Sequence, residues 1–207
     1  VSERDFRAEL AGDPCWDRTT QAQFEEHGEP LQDCILQNRE ELIGLCELIQ
    51  RHRVRSYLEI GIWTGRLLCT LQRLFAFHKL AACDHGWARR LGLPVRVPPG
   101  TALHEGDSGT AAYRRWRRDL GHVDLVLIDA DHHYRAVRRD FELERGMPHR
   151  FLALHDITGA SRHTTGVRRL WRELSGGHRL QIVSPHRELG LDHSTMGIGV
   201  WSEREQP

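Results

Sequence analysis

Lysine is almost missing from this sequence. Of 29 basic residues in 207, only Lys79 is not an arginine. We read that as a coding bias toward arginine, of the kind high-GC bacteria show. Long apolar runs are missing too: no stretch approaches the ~18 consecutive apolar residues of a spanning helix, which argues against a membrane protein. There is no CxxC pair, and the five cysteines are an odd number, so a disulfide framework is not indicated and a reduced, cytoplasmic setting fits best. No internal repeat or low-complexity segment is visible. Val1–Leu10 alternates charges with isolated apolar residues and does not read as a secretory signal. Net charge is zero, which argues against a dedicated nucleic-acid binder, though not against a local basic patch. What is present is an ordinary polar globular composition, 39% hydrophobic and 28% charged with mean hydropathy −0.54. The chain is long enough to bury a core unaided.

The charge is unevenly spread. Residues 1–50 carry −8 and the remainder +8. The first 37 residues are weakly patterned, acidic and punctuated by Gly12-Asp13-Pro14 and Gly28-Glu29-Pro30. They read as a helical N-terminal extension that covers the active site or a neighbouring subunit. From Asn38 a helix is expected, with Leu42, Leu45, Cys46 and Ile49 on one face. Asn38 caps it, with Glu41 three residues on. Then strand, turn and helix repeat. Strands are expected at 54–60, 80–83, 102–105, 123–128, 151–154, 180–183 and 198–201. Helices follow the first, third and fourth strands, through 67–75, 110–119 and 134–145, and another opens at Gly166. Alternation of this kind predicts an α/β fold with a mostly parallel sheet and an antiparallel hairpin at one edge. Asp84, Asp107, Asp129 and Asp156 each stand just past a strand, where open α/β sheets bind ligands.

The loop Glu59-Ile60-Gly61-Ile62-Trp63-Thr64-Gly65 lies between a strand and a helix. A dinucleotide loop would read GxGxxG, but Trp63 stands at the second glycine position and blocks approach of a pyrophosphate. The spacing is ExGxxxG, which suits S-adenosylmethionine (SAM), a ligand without phosphates. Asp84 follows Glu59 by 25 residues, a distance at which a carboxylate can accept both ribose hydroxyls. Gly106-Asp107-Ser108 is placed for the adenine amino group.

These residues resemble the class I SAM-dependent methyltransferases, in the branch of small-molecule O-methyltransferases of the cephamycin-biosynthesis and sugar type. The carrying stretches are YLEIGIWTG (57–65), EGDS (105–108), DLVLIDADHHYRAVRRDFE (124–142), LALHDI (152–157), GVRRLWREL (166–174) and GIGVW (197–201). Ala130 replaces the glycine usual in the third stretch, and Met147-Pro148-His149-Arg150 replaces a usual Gly-Gly. The resemblance implies a Rossmann-like seven-stranded sheet over residues 38–207, with 1–37 as the extension. It implies that Glu59, Gly61, Gly65, Asp84, Asp107 and Ser108 contact SAM, and that Asp129 with Asp156 and His155 lines the acceptor side. Related enzymes hold a divalent cation there. Asp129 and Asp156 offer hard oxygen ligands suited to Mg²⁺, and His155 shifts the preference toward Mn²⁺, Fe²⁺ or Zn²⁺.

Asp129 and His132 are the expected catalytic residues, His132 as general base; its neighbour His133 is expected in solvent. In Tyr113-Arg114-Arg115-Trp116-Arg117-Arg118 we expect Trp116 on the sheet and the arginines in water. The expected activity is methyl transfer from SAM to a small-molecule hydroxyl, with a possible homo-oligomer. The alternatives are an RNA methyltransferase using the arginine-rich helices, a non-catalytic SAM-binding protein, and a non-haem iron oxygenase built from His155, His132 and Asp129. Retained acids at the acceptor side speak against the second.

Overall fold

The computed structural model describes residues 4–16, 26, 33–158, 164–184 and 196–205. The turn expected at residues 28–30 lies outside them. Fourteen named elements follow one another: α1 (Phe6–Glu9), α2 (Arg39–Arg51), β1 (Ser56–Ile60), α3 (Arg66–Phe75), β2 (Lys79–Asp84), α4 (Trp87–Arg90), β3 (Ala102–Glu105), α5 (Ala111–Leu120), β4 (Val123–Ile128), α6 (Tyr134–Arg145), β5 (His149–His155), α7 (Thr165–Glu173), β6 (His178–Ile182) and β7 (Ile198–Ser202). The seven strands form one sheet in the order β3-β2-β1-β4-β5-β7-β6. The first five are parallel, and β7 pairs antiparallel with both β5 and β6. This is the α/β arrangement expected, with the antiparallel pair at one edge. Among the described residues, no helix is long and apolar enough to cross a membrane.

Strand pleating divides the core in two. Tyr57, Leu80, Ala82, Leu125, Leu127, Phe151 and Ala153 face one way, toward α1, α2 and α3. Leu58, Ile60, Ala81, Cys83, Val126, Ile128, Leu152 and Leu154 face the other, toward α5, α6 and α7. Such double burial is why β1 and β4 read as near-continuous apolar runs. Cys46 packs in the first layer, and burial pushes its thiol up to about 12, so it behaves as a small hydrophobe.

The N-terminal residues join the first layer. Phe6, Leu10, Cys15 and Ile35 share its core with α2 and α3, and the Phe6 and Phe75 rings lie 5.5 Å apart. Cys15 bridges to Ile35 in parallel fashion. The acids of this segment meet arginines of α3, with Arg73 on Asp13 at 2.6 Å and Arg66 on Asp33 at 2.9 Å.

The arginine-rich helix α5 departs from expectation. Arg117 is fully buried, not in water. It lies one turn beyond Tyr113 and shares that residue's inward face. Its Nε donates to Glu144 at 2.7 Å, and its other nitrogens donate to the Gly121 and Pro148 carbonyls at 2.6 and 3.2 Å. The Tyr113 hydroxyl donates to the second Glu144 oxygen at 2.7 Å. A buried charge survives only when so matched. Arg117→Ala should therefore lower stability in urea unfolding by about 3–5 kcal/mol, because it strands the Glu144 carboxylate. Arg118→Ala, at an exposed position of the same helix, should change it by no more than about 0.5 kcal/mol.

Candidate active site

The carboxyl ends of β1, β2 and β4 open onto a cleft of about 760 Å³. Glu59, Gly61, Asp84, Asp107, Ser108, Asp129, His132, His155 and Asp156 all line it. Gly65 stands behind this wall, as the N-cap of α3 at φ +79°. A Cβ there would fall 1.8 Å from the Arg96 carbonyl oxygen. A Cβ at Gly61 would fall 2.2 Å from the Asp129 carbonyl oxygen. Gly61 thus lets the chain leaving β1 press against the chain leaving β4, a close approach only glycine permits.

Three polar atoms of the loop that follows are buried and lack a partner: Trp63 Nε1, Thr64 Oγ1 and Arg66 Nε. All three residues line the cleft. Unsatisfied buried polar atoms are uncommon in folded proteins, and here they mark a wall that a ligand would complete. Asp84 is held by its own surroundings, one oxygen accepting from Ile62 N–H at 3.0 Å and the other from Gly86 N–H at 2.5 Å. Each carboxylate oxygen retains lone-pair capacity toward the cleft.

Glu59 is 2% exposed and accepts from the Tyr57 hydroxyl at 2.9 Å. Burial, assisted by the nearby Asp129 carboxylate and opposed by the Tyr57 hydrogen bond, pushes it up to about 8. Burial thus favours the neutral form of Glu59.

The other end of the cleft centres on Asp129. The register pairs Ile128 with Leu154, so Asp129 and His155 emerge side by side. Asp129 Oδ1 meets His155 Nδ1 at 3.2 Å and His132 Nε2 at 3.3 Å, while Oδ2 accepts from Gln37 Nε2 at 2.8 Å. His132 Nε2 also lies 2.9 Å from Asp156 Oδ2. Asp156 reaches it with φ +65°, a left-handed conformation that aspartate tolerates better than most residues. Burial works to raise the Asp129 carboxyl, but the His155 charge and the hydrogen bonds from both histidines outweigh it and hold the group well below the usual carboxylate range. Burial likewise opposes charge on both histidines. Hydrogen bonds to Asp129 and Asp156 nevertheless push His132 up to about 10, and the charges of the same two acids push His155 up to about 9.

Ligand atoms of Asp129, His132 and Asp156 all lie within 4.8 Å of one another. His155 sits beside this trio, with Nδ1 3.7 Å from Asp156 Oδ2 and with Nε2 buried and unpartnered. His133 is exposed and turned to Asp131 at 2.7 Å.

Sequence reasoning missed part of the wall. Trp16, Cys34, Ile35, Leu36 and Gln37 come from the N-terminal segment, and Met196 precedes β7. Gln37 touches Asp129 across 92 residues of chain, and no local pattern announces such a contact. Glu41, read as part of a helix cap, turns its carboxylate inward and accepts from Gly197 N–H at 2.8 Å and Ser184 N–H at 3.2 Å.

Residues 58–157 match a family model described as a methyltransferase domain. No curated protein matches the chain in sequence. Among solved structures, an O-methyltransferase from Bacillus cereus, crystallised with S-adenosylhomocysteine (SAH), is 16% identical. The match covers 98% of this chain and 93% of that one, with TM-score 0.56. The O-methyltransferase TomG from Streptomyces achromogenes, involved in tomaymycin synthesis and crystallised with SAM, is 16% identical over 98% and 91% of the two chains, with TM-score 0.57. The fold is thus that of the class I methyltransferases. The matched domain spans the loop, Asp84 and the Asp129 strand, so the cleft lies within the part of the chain that matches a methyltransferase domain.

The charge state of the histidines gives a pH signature in protein stripped of divalent ions. Both have folded values above their ordinary 6.5, so the stability they lend is full below about 6.5 and is lost as pH rises through about 9 to 10. Asp129 has the opposite sign, its contribution being present above 3.8 and lost in acid. Urea unfolding should show declining stability from about pH 7 to 10, and Asp129→Asn should flatten that decline. An equally steep decline in the variant would contradict this assignment.

Proposed function

We propose that the enzyme transfers the SAM methyl group to a hydroxyl of a small molecule, with Asp129 and His132 at the reacting oxygen and a divalent cation between Asp129 and Asp156. The observation that carries this reading is the Asp129–His132–Asp156 cluster, set in the same cleft as the Gly61 loop and Asp84. SAM binding alone would not require it.

The residues fit the donor. Asp84, whose oxygens keep lone-pair capacity, would accept the ribose hydroxyls, and Gly106 to Ser108 would meet the base. Trp63 Nε1 and Thr64 Oγ1 are unused donors suited to the carboxylate of the methionine part. Gly65 supports the loop from behind. Glu59, whose neutral form burial favours, adds no negative charge beneath the ligand in that form.

The residues also fit a cation. His132 Nε2 lies between two carboxylates, and a divalent ion would neutralise them with more charge than an imidazolium. Such an ion provides Lewis acidity that lowers the pKa of a hydroxyl placed on it. Asp129, Asp156 and one imidazole are a ligand set that Mg²⁺ accepts through oxygen and Mn²⁺ accepts throughout. His155, held to Asp129 and bordering the trio, is the candidate to complete or replace His132 in that set.

His132, in its neutral form, accepts the hydrogen bond of the acceptor hydroxyl and takes its proton at Nε2, and Asp129 and Asp156 stabilise the imidazolium that forms. As the oxygen–carbon bond forms, the carbon–sulfur bond breaks and its electron pair stays on sulfur, leaving SAH. A cleft of about 760 Å³ lies within the roughly 300–1,000 Å³ range of small-molecule sites, and Trp16, Ile35 and Leu36 give its acceptor side apolar walls. Arg117 faces inward, so the arginine-rich helix offers less to RNA than its sequence suggests. The TomG similarity supports an oxygen acceptor.

Calorimetry should show SAM and SAH binding, and Asp84→Ala should weaken both roughly ten- to a hundredfold, as for a lost hydrogen bond to a charged group. Labelled SAM with a panel of hydroxylated compounds should give methyl transfer that EDTA abolishes and Mg²⁺ or Mn²⁺ restores. Asp129→Asn and Asp156→Asn should bind SAH yet fail to transfer. Tight NAD binding without SAM binding would end the reading; full turnover in excess EDTA would remove the cation and leave His132 and Asp129 alone.

A further inference from the structure

Asp140 sits on α6 one residue after Arg139, and both line the cleft at its Asp107 and Ser108 end. It is 1% exposed. Its carboxylate is satisfied on one side only. Oδ1 receives the Ser108 hydroxyl at 2.8 Å and the Arg139 guanidinium at 3.1 Å through Nε and 3.0 Å through Nη2. Oδ2 is buried and has no partner. Three donors on one oxygen and none on the other is an unbalanced arrangement, since a buried acceptor left unmade forfeits its full hydration.

The neighbours cannot correct it. Ser108 already uses its proton on Oδ1 and receives Arg139 Nη2 at 3.2 Å. Asp107 is half outside the cleft and takes Gly109 N–H at 2.5 Å and Arg139 at 3.2 Å. Arg139 is thus shared among Asp107, Ser108 and Asp140, and its fork pins the Asp140 carboxylate in one orientation. What Oδ2 lacks is an N–H donor on a group that enters the cleft beside Ser108.

We propose that Asp140 is a specificity-determining residue for the methyl donor, its Oδ2 accepting a hydrogen bond from the 6-amino group of the adenine. This rests on the reading of the cleft as a SAM site, and it moves recognition of the base from the Gly106–Ser108 turn alone to α6. Ser108 and Arg139 become positioning residues that hold the acceptor atom still.

The test is a cycle of two ligands and two proteins, read by calorimetry. The ligands are SAH and its 6-deamino analogue, in which purine replaces adenine. Wild-type protein should bind SAH roughly ten- to a hundredfold more tightly than the analogue, because only SAH supplies the donor. Asp140→Ala should weaken SAH and leave the analogue within about threefold, so that the preference collapses toward one. A general loss of structure would weaken both ligands alike and preserve the ratio. Equal binding of the two ligands by wild-type protein overturns the proposal without any variant, as does an unchanged preference in Asp140→Ala. Failure of wild-type protein to bind SAH at all would instead overturn the SAM reading on which the proposal stands.

Discussion

The charge on Asp129 is the constraint around which this end of the cleft is built. A carboxylate withdrawn from water at the centre of a sheet edge is costly unless donors surround it. Here they arrive from three directions: Gln37 from the N-terminal segment, His132 from the turn before α6, and His155 from the end of β5. Each is a different stretch of chain, and none is within two residues of Asp129. Meeting that one demand ties the N-terminal segment, the β4–α6 turn and β5 to a common point. Asp156, in its left-handed conformation, shares the His132 proton and extends the arrangement by one more acid.

Strand pleating decides which polar groups can take part. Residues two apart on a strand share a face, so Tyr57 and Glu59 look toward α2, as do Leu125 and Leu127 on β4 and Ala153 and His155 on β5. Glu59 and His155 therefore lie on the same side of the sheet as Asp129, under the helix that carries Glu41. The result is a polar row beneath an otherwise apolar layer. It is tolerated because the row contains its own compensation: burial favours the neutral form of Glu59, Glu41 is spent on the backbone of residues 184 and 197, and the two histidines carry the balancing charge. A shift of one residue in the register of β4 against β5 would send either Asp129 or His155 to the opposite face, among Val137, Phe141 and Trp171.

Much of this was legible from residues alone, and the parts that were not share a cause. The strands were readable because double burial writes them as runs such as Val123–Ile128. The acids Asp84, Asp129 and Asp156 were readable because each punctuates such a run. Local order of that sort says nothing about which distant segment supplies a partner. Gln37 and Asp140 carry no local signal, and Glu41 reads as part of a cap, because their meaning lies in contacts 92, 32 and 143 residues away. Arg117 was misread for a related reason. Helical position alone put it in line with Tyr113, but arginine is so seldom buried that only the sight of Glu144 opposite makes the inward face credible. The missing Cβ of Gly61 makes way for the Asp129 backbone, a contact that the spacing of its loop does not announce.

The charge asymmetry between the first 50 residues and the rest suggests an electrostatic clasp, but the magnitudes point elsewhere. The pairs Arg73–Asp13 and Arg66–Asp33 are half-exposed, and such pairs contribute ~0–1 kcal/mol each and weaken with salt. Phe6, Leu10, Cys15 and Ile35 are each at most 2% exposed, and full burial of a large apolar side chain is worth ~1.5–3 kcal/mol. Apolar packing, not charge, therefore holds the segment to the sheet, and the ion pairs set its register. This has a consequence for the site. Ile35 is locked into the core within the stretch Cys34 to Gln37 that lines the cleft, and Gln37 delivers its amide to Asp129. This wall of the cleft thus shares a hydrophobic core with the strands that carry the acids, and cannot move far from them without exposing that core.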